Sequence, residues 1–181
     1  MDEELLVVRC QLGERDAFAA LVRAWHPAVE RYVARMLGGP DDDVTQEVWL
    51  AIIRGLPRLR QPDRFAPWLF VIARRAVMNR LRDAYATPEQ ALDDTAGGDV
   101  ADGDATGGDA ADAVADRELV AGALAALPVR EREVLLLFHL EDLSLQACAQ
   151  ICGVPVGTVK SRLNRARRLL RRELARKGYE Q

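Results

Sequence analysis

A stretch rich in glycine, alanine and aspartate divides this 181-residue chain into two parts. It reads ATPEQALDDTAGGDVADGDATGGDAADAVAD, from Ala86 to Asp116, and contains almost no large apolar side chain. Such a segment cannot bury enough apolar surface to offset the entropy lost on ordering it. The sequence therefore predicts a flexible, disordered acidic linker over residues 84–113, between one domain at 1–83 and another at 114–181.

Charge follows the same division of the chain. The formal net charge is −3, yet residues 84–117 alone hold nine acids and one base, so both flanking parts are net positive. The acidity of the whole chain therefore belongs to the predicted linker. A basic helix near the end of the chain fits an anionic partner such as nucleic acid.

Composition excludes several classes of protein. Three cysteines are too few for a disulfide framework, and their odd number would leave one of them unpaired. No apolar run approaches the roughly 18 residues of a membrane span, and the N-terminus lacks the pattern of a signal peptide. We expect a reduced, cytoplasmic protein without membrane insertion.

Apolar residues recur at helical spacing on both sides of the linker, and no alternating strand pattern with hairpin turns is present. The run GGPDDD ends one helix and begins another, while three prolines between residues 56 and 67 predict a loop. The predicted fold is all-α, with an N-terminal helical bundle and a C-terminal four-helix domain that contains a helix-turn-helix. Helices are expected near residues 3–12, 15–37, 67–83, 115–126, 128–139, 144–152 and 155–177, with a further one that ends near Gly55.

The last predicted helix has two contrasting faces. Steps of 100° place one apolar stripe along it, made of Val159, Leu163, Ala166, Leu170 and Leu174. The opposite face carries cations with short polar side chains, namely Lys160, Ser161, Asn164, Arg165, Arg168, Arg171 and Arg172. Cations neutralise phosphates, and Asn, Ser and Arg can bind base edges in a major groove.

The residues before this helix have the spacing of a helix-turn-helix. Ser144 can cap a short helix, Gly153 can end it in the left-handed conformation, and Pro155 suits the start of the next helix. Ala149 and Val159 stand where two crossing helices need a small and an apolar residue.

A second candidate surface lies in RLRQPDRFAPWLFVIARRAVMNRLRD. Phe70, Ala73, Val77 and Leu81 form its buried stripe, and the other face gathers Trp68, Arg75, Asn79 and Arg82. An aromatic ring beside Arg and Asn can bind single-stranded nucleic acid by stacking and phosphate contacts. Burial of Trp68 in the core is the alternative.

Two segments resemble bacterial sigma factors of the extracytoplasmic-function (ECF) type. ALPVREREVLLLFHLEDLSLQACAQICGVPVGTVKSRLNRARRLL, from Ala126 to Leu170, is similar to their fourth domain. DDDVTQEVWLAIIRGLPRL, from Asp41 to Leu59, is similar to their second domain, in which an Asp–hydrophobic–x–Gln–Glu pattern is typical.

The resemblance implies a function and a set of contact residues. A protein of this type binds core RNA polymerase (β and β′ subunits), recognises −35 and −10 promoter elements, promotes DNA opening and is commonly held by an anti-sigma factor. The implied −35 contacts are Lys160, Ser161, Arg162, Asn164, Arg165 and Arg168. The implied −10 contacts are Arg60, Asp63, Phe65, Trp68, Arg74, Arg75, Asn79 and Arg82. The implied polymerase contacts are Asp43, Gln46 and Glu47.

Departures from the family pattern leave a sensor hypothesis open. Cys148 and Cys152 stand where the family usually has Ile and Leu, and Ala147 stands where a Glu would complete a capping box with Ser144. With His139 the two thiols could sense metal or oxidant; alternatively they act as small buried hydrophobes. No catalytic residue, metal site or cofactor is predicted, and the chain is not expected to be an enzyme.

A free-standing helix-turn-helix regulator that binds duplex DNA is the competing interpretation. Such a protein would bind its site tightly without polymerase, usually as a dimer. A tethered module of an initiation factor would bind duplex DNA poorly on its own.

Overall fold

A computed structural model describes residues 3–86 and 110–177 of the chain. Over these residues the chain forms eight α-helices and no strand, in agreement with the predicted all-α fold. The helices are α1 (Glu3–Gln11), α2 (Arg15–Leu37), α3 (Asp42–Gly55), α4 (Phe65–Ala86), α5 (Ala110–Ala125), α6 (Val129–His139), α7 (Leu145–Cys152) and α8 (Val156–Arg176).

Helices α1–α4 form the first module, and local sequence determines where they begin and end. Gly38 ends α2 with a left-handed backbone at φ 84°, as the GG pair predicted. The side chain of Asp41 then caps α3, because its Oδ1 accepts the amide N–H of Val44 at 3.0 Å. Their apolar stripes meet in a core that includes Leu21, Val48 and Phe70.

The proline-bearing segment between α3 and α4 is mostly loop, as predicted, with two short 3-10 turns. These turns span Leu56–Arg58 and Pro62–Arg64, and each has proline at its start. Helix α1 packs beside both turns, so the loop is supported by the N-terminal helix.

Helices α5–α8 form the second module and contain the predicted helix-turn-helix. Ser144 caps α7 by accepting the amide N–H of Ala147 at 3.1 Å, although Ala147 offers no reciprocal carboxylate. Gly153 has φ 65°, a left-handed conformation that only glycine adopts readily, and Pro155 lies directly before the first residue of α8. The turn therefore aims α8 across α6 and α7.

The two modules pack against each other in one apolar core. Helix α4 of the first module packs along α7 of the second, and α2 contacts α5 and α6. Buried side chains run continuously from Leu6 in α1 to Ala166 in α8. The sequence pattern predicted two tethered modules, and no local feature of it pointed to this contact.

Both helices that flank the predicted linker extend into it. Helix α4 continues to Ala86 and α5 begins at Ala110, whereas the linker was predicted over 84–113. The rest of that prediction, residues 87–109, lies outside the described residues. Within the described ranges, no helix combines the length and apolarity needed to cross a bilayer.

Loss of the α7 cap should destabilise the second module. We expect Ser144→Ala to lower the free energy of unfolding by about 1 kcal/mol, because the Ala147 N–H loses its acceptor. Urea unfolding followed by circular dichroism measures this change. Ser144→Asp, which supplies another acceptor, is the matched control; equal stability of the wild type and the alanine variant would contradict the assignment.

Candidate nucleic-acid interface

The outer face of α8 carries the predicted base-reading residues. Val159, Leu163 and Ala166 are buried against the module, which fixes the rotation of the helix. The side chains on the other side are exposed to solvent: Lys160, Ser161, Asn164, Arg165, Arg168, Arg171 and Arg172. The predicted apolar face is buried at Val159, Leu163 and Ala166, whereas the other two predicted members, Leu170 and Leu174, are only half-buried.

Two of the predicted −35 arginines interact with carboxylates of α6. Arg165 lies 3.6 Å from Glu131 of α6 but stays well exposed, so this weak pair leaves the guanidinium accessible. Arg162 is only partly exposed, and its charge helps to lower the pKa of Glu133 against the larger effect of burial. Arg162 therefore lies at the flank of the face rather than at its centre.

Phe65 belongs to the core and has no exposed surface for a DNA contact. Its ring packs edge-to-face on Trp25 at 5.7 Å between centroids, because it begins α4 with its side chain turned inward. Trp68 is partly buried and packs on Phe65 and on Gly55, where an added Cβ would lie 2.8 Å from Trp68 Cζ2. Both aromatic rings support the loop, whereas the loop residues Arg60 and Asp63 are exposed.

Gln11 of α1, which no sequence pattern singled out, holds this loop against α1 by hydrogen bonds. Its side-chain Nε2 donates to the carbonyl oxygens of Leu56 at 3.0 Å and of Leu59 at 2.7 Å. One amide group therefore satisfies two loop carbonyls, which sets the path of the chain toward Arg60.

The basic residues of α4 fall into two environments. Arg75 is exposed, and Arg82 is exposed while its guanidinium donates to Asn79 of the preceding helical turn. Arg74 instead points into the contact between the modules, where its Nε donates to Glu133 Oε1 at 2.7 Å. The face predicted for −10 recognition thus has one member that is engaged by the second module.

Glu133 has an unusual environment for a carboxylate. Its side chain is fully buried, and Tyr32 Oη donates to it across the module contact at a long 3.5 Å. Burial raises the pKa of Glu133, although the adjacent Arg74 opposes the shift. Burial also raises the pKa of Tyr32 well above its ordinary value, and Glu133 adds to that effect.

One side of α3 presents polar and apolar groups together. Asp43, Gln46 and Glu47 are exposed, as predicted, on the side opposite the buried residues of the helix. Leu50 and Ile53 continue this surface with 44% and 48% of their area exposed. The two large apolar side chains were not identified from the sequence as part of a binding surface.

The two cysteines of α7 behave as buried hydrophobes, as one of the two interpretations held. Burial raises the pKa of Cys148 to about 11 and that of Cys152 to about 12, so both thiols stay protonated at neutral pH. His139 is exposed and accepts from Arg167 at 3.2 Å. Within the described ranges, no three His, Cys, Asp or Glu side chains are grouped as a metal site.

Comparison with known families and proteins agrees with this geometry. Residues 21–87 match the family described as Sigma-70 region 2, and residues 117–170 match Sigma-70, region 4. The chain is 34% identical over 163 residues to the ECF RNA polymerase sigma factor SigC of Mycobacterium tuberculosis, covering 90% of this chain and 85% of that protein. It is 31% identical over 176 residues to the ECF RNA polymerase sigma factor SigW of Bacillus subtilis, covering 90% and 91%.

The chain belongs to the ECF sigma factors. Such a factor binds core RNA polymerase, recognises −35 and −10 promoter elements and promotes DNA opening at the start of transcription. This family membership supports the sigma-factor interpretation over a free-standing duplex-binding regulator.

Solved structures give the same family. The structure of CnrH in complex with the cytosolic domain of CnrY aligns with a TM-score of 0.68 and 28% identity, over 96% of this sigma factor and 97% of that chain. The sigma factor RpoE of Bartonella quintana, solved with the anti-sigma factor NepR, aligns with a TM-score of 0.73 and 25% identity, over 87% and 96%.

Removal of the Gln11 side-chain amide should loosen the loop between α3 and α4. We expect Gln11→Ala to increase amide hydrogen exchange in residues 56–64 by about fivefold or more, because two loop carbonyls lose their donor. Exchange followed by mass spectrometry measures the change.

Gln11→Glu provides a second variant of similar size. Its carboxylate cannot donate to carbonyl oxygens, so it should behave as the alanine variant does. Unchanged exchange in both variants, with the helices as protected as in the wild type, would contradict a bracing role for Gln11.

Proposed function

We propose that the second module reads the −35 element with α8, while the first module captures the −10 strand with its loop and α4 and docks on polymerase with α3. The observation that carries this proposal is the exposed basic face of α8, which lies opposite a buried stripe in a helix-turn-helix. The remaining assignments follow from exposure and chemistry around the other surfaces.

The N-terminal half of α8 is suited to base edges. Lys160, Ser161, Asn164 and Arg165 are exposed there, and their amine, hydroxyl, amide and guanidinium groups can bond base edges in the major groove. Arg168 and Arg172 line a cleft further along the helix with Arg165. We assign this more distal pair to the phosphate backbone, which cations bind without regard to sequence.

The −10 strand is assigned to the loop and the outer face of α4. Arg60 and Asp63 are exposed in the loop, and Arg75 and Arg82 are exposed on the helix that follows it. A flipped base costs a few kcal/mol to extrude, so a braced loop with nearby cations is suited to hold it. Trp68 and Phe65 pack beneath the loop and support it from the core.

Docking on polymerase is assigned to the exposed side of α3. Asp43, Gln46 and Glu47 make no ion pair within the described part of the chain, and Leu50 and Ile53 expose apolar area beside them. A surface with apolar groups among polar ones is typical of a protein–protein interface. We infer that the clamp region of the β′ subunit covers it.

Three further assignments concern the partner, the location and the catalytic chemistry. Relatives of this sigma factor have been solved with the cytosolic domain of CnrY and with the anti-sigma factor NepR, and we propose that a protein of the anti-sigma class also binds this chain. We place its action in the cytoplasm, with polymerase. RNA synthesis is assigned to the polymerase, and the chain itself is assigned no catalytic chemistry.

Substitutions at two different arginines of α8 should distinguish base recognition from phosphate binding. With core polymerase and a random promoter library in run-off transcription, we expect Arg165→Ala to change the preferred −35 sequence at a cost of about 1–3 kcal/mol for the original base. Arg172→Ala should weaken use of all promoters evenly and flatten the salt dependence. No promoter-dependent transcript from the wild type would contradict the proposed function itself.

Polar substitution of the apolar side chains on α3 should weaken polymerase binding. We expect Leu50→Ser with Ile53→Ser to raise the Kd for core polymerase by about tenfold or more, since both side chains lose apolar burial in the complex. Fluorescence anisotropy of the labelled sigma factor measures the Kd. Val120→Ser, at an exposed apolar position in the other module, is the control, and equal binding by all three proteins would overturn the assignment.

A further inference from the structure

Trp49 lies at the border between the buried side of α3 and the side assigned to polymerase. It stands three positions after Gln46 and four before Ile53, so it neighbours both side chains on the helix surface. Gln46 and Ile53 are exposed, whereas the indole of Trp49 is buried. The ring therefore forms the inner edge of the surface assigned to docking.

Two contacts with α2 hold the ring of Trp49 in this place. Phe18 meets the indole edge-to-face, with 6.5 Å between the ring centroids. The indole Nε1 donates a hydrogen bond to Nδ1 of His26 at 3.0 Å. Because a buried indole N–H is costly without an acceptor, His26 supplies what the apolar contact with Phe18 cannot.

The hydrogen bond from Trp49 also determines which nitrogen of neutral His26 carries the proton. Since Nδ1 accepts, the proton lies on Nε2. Nε2 in turn lies 3.2 Å from Oε1 of Glu30, one helical turn further along α2. The imidazole is therefore oriented from both sides, by Glu30 of its own helix and by Trp49 of α3.

His26 itself contributes little to the apolar core. Its side chain is 41% exposed, so replacing the imidazole removes an acceptor without opening a large cavity. A buried N–H that has lost its acceptor is unfavourable, and the ring that carries it turns toward water. For Trp49 the nearest exposed side of α3 is the one that carries Gln46 and Ile53.

We propose that His26 is a positioning residue for polymerase docking: its Nδ1 keeps the indole of Trp49 against α2 and off the surface formed by Gln46, Leu50 and Ile53. This inference rests on the proposed docking function of α3. His26 lies on a different helix and acts through Trp49, so it does not need to touch polymerase. Without the hydrogen bond, the ring covers part of the docking surface, and polymerase has to displace it.

The indole N–H signal of Trp49 in NMR spectra tests the hydrogen bond in the free chain. Its absence from the spectrum of Trp49→Phe identifies it. We expect this proton to exchange with water about tenfold faster or more in His26→Phe, which keeps a planar ring but has no acceptor. His26→Asn should restore protection, because its Oδ1 accepts near the position of Nδ1. Equal exchange in the wild type and His26→Phe, or no protection in His26→Asn, would overturn the role of His26 as acceptor.

Binding to core polymerase tests whether this hydrogen bond matters for docking. By fluorescence anisotropy of the labelled full chain, we expect the Kd of His26→Phe to rise about fivefold or more and that of His26→Asn to stay near the wild-type value. Ser144→Ala controls for lost stability, since it removes the α7 cap in the other module and should leave the Kd unchanged. A wild-type Kd for His26→Phe contradicts the positioning role.

A double-mutant cycle tests whether His26 acts through Trp49. Trp49→Phe keeps an aromatic ring and leaves no N–H that needs an acceptor, so His26→Phe should raise the Kd no further in that background. If His26→Phe loses helix content by circular dichroism, His26→Leu takes its place in every comparison. The same increase in Kd with and without the Trp49 indole would show that His26 acts by another route.

Failure of this inference is distinguishable from failure of the proposed docking function. If Leu50→Ser with Ile53→Ser binds polymerase as tightly as the wild type, the docking assignment of α3 is wrong, while the indole signal still decides whether His26 holds Trp49. If that double variant loses affinity and His26→Phe does not, α3 docks as proposed and the positioning role of His26 is wrong.

Discussion

The packing of α4 along α7 is the contact on which the described structure depends. One side of α4 completes the bundle of the first module, and another meets the first helix of the helix-turn-helix. Because the two contacts use one rigid helix, the apolar cores on either side become continuous. The same helix therefore fixes the position of the second module and carries the surface proposed for the −10 strand.

Charges give this apolar contact its specificity. Apolar surfaces alone would tolerate sliding, whereas Arg74 and Glu133 meet only in one register of α4 and α6. The cost of burying the carboxylate is reflected in the raised pKa of Glu133, since desolvation outweighs its cationic neighbour. A contact that is specific and yet costly is easier to undo than a purely apolar one.

Local features of the fold could be predicted from the sequence, and features that join distant segments could not. Helical spacing identified the eight helices of residues 3–86 and 110–177, and Ser144, Gly153 and Asp41 lie at helix ends as local backbone chemistry requires. The bracing by Gln11 joins residues more than 40 positions apart, so no local pattern reveals it. The sequence around Glu133 offers little signal, because this carboxylate ends the charged stretch Arg130–Glu133 just before the apolar run of α6, and its partner Arg74 lies across the linker.

The two faces of α8 have a consequence for how such a factor can evolve. Its buried stripe holds the helix in place, while the outer side chains from Lys160 to Arg165 contribute little to the core. Substitutions on that outer side therefore change little in folding free energy. If these side chains read the −35 element, as proposed above, promoter preference can change one side chain at a time, and duplicated copies of such a gene diverge in target genes while keeping the same scaffold.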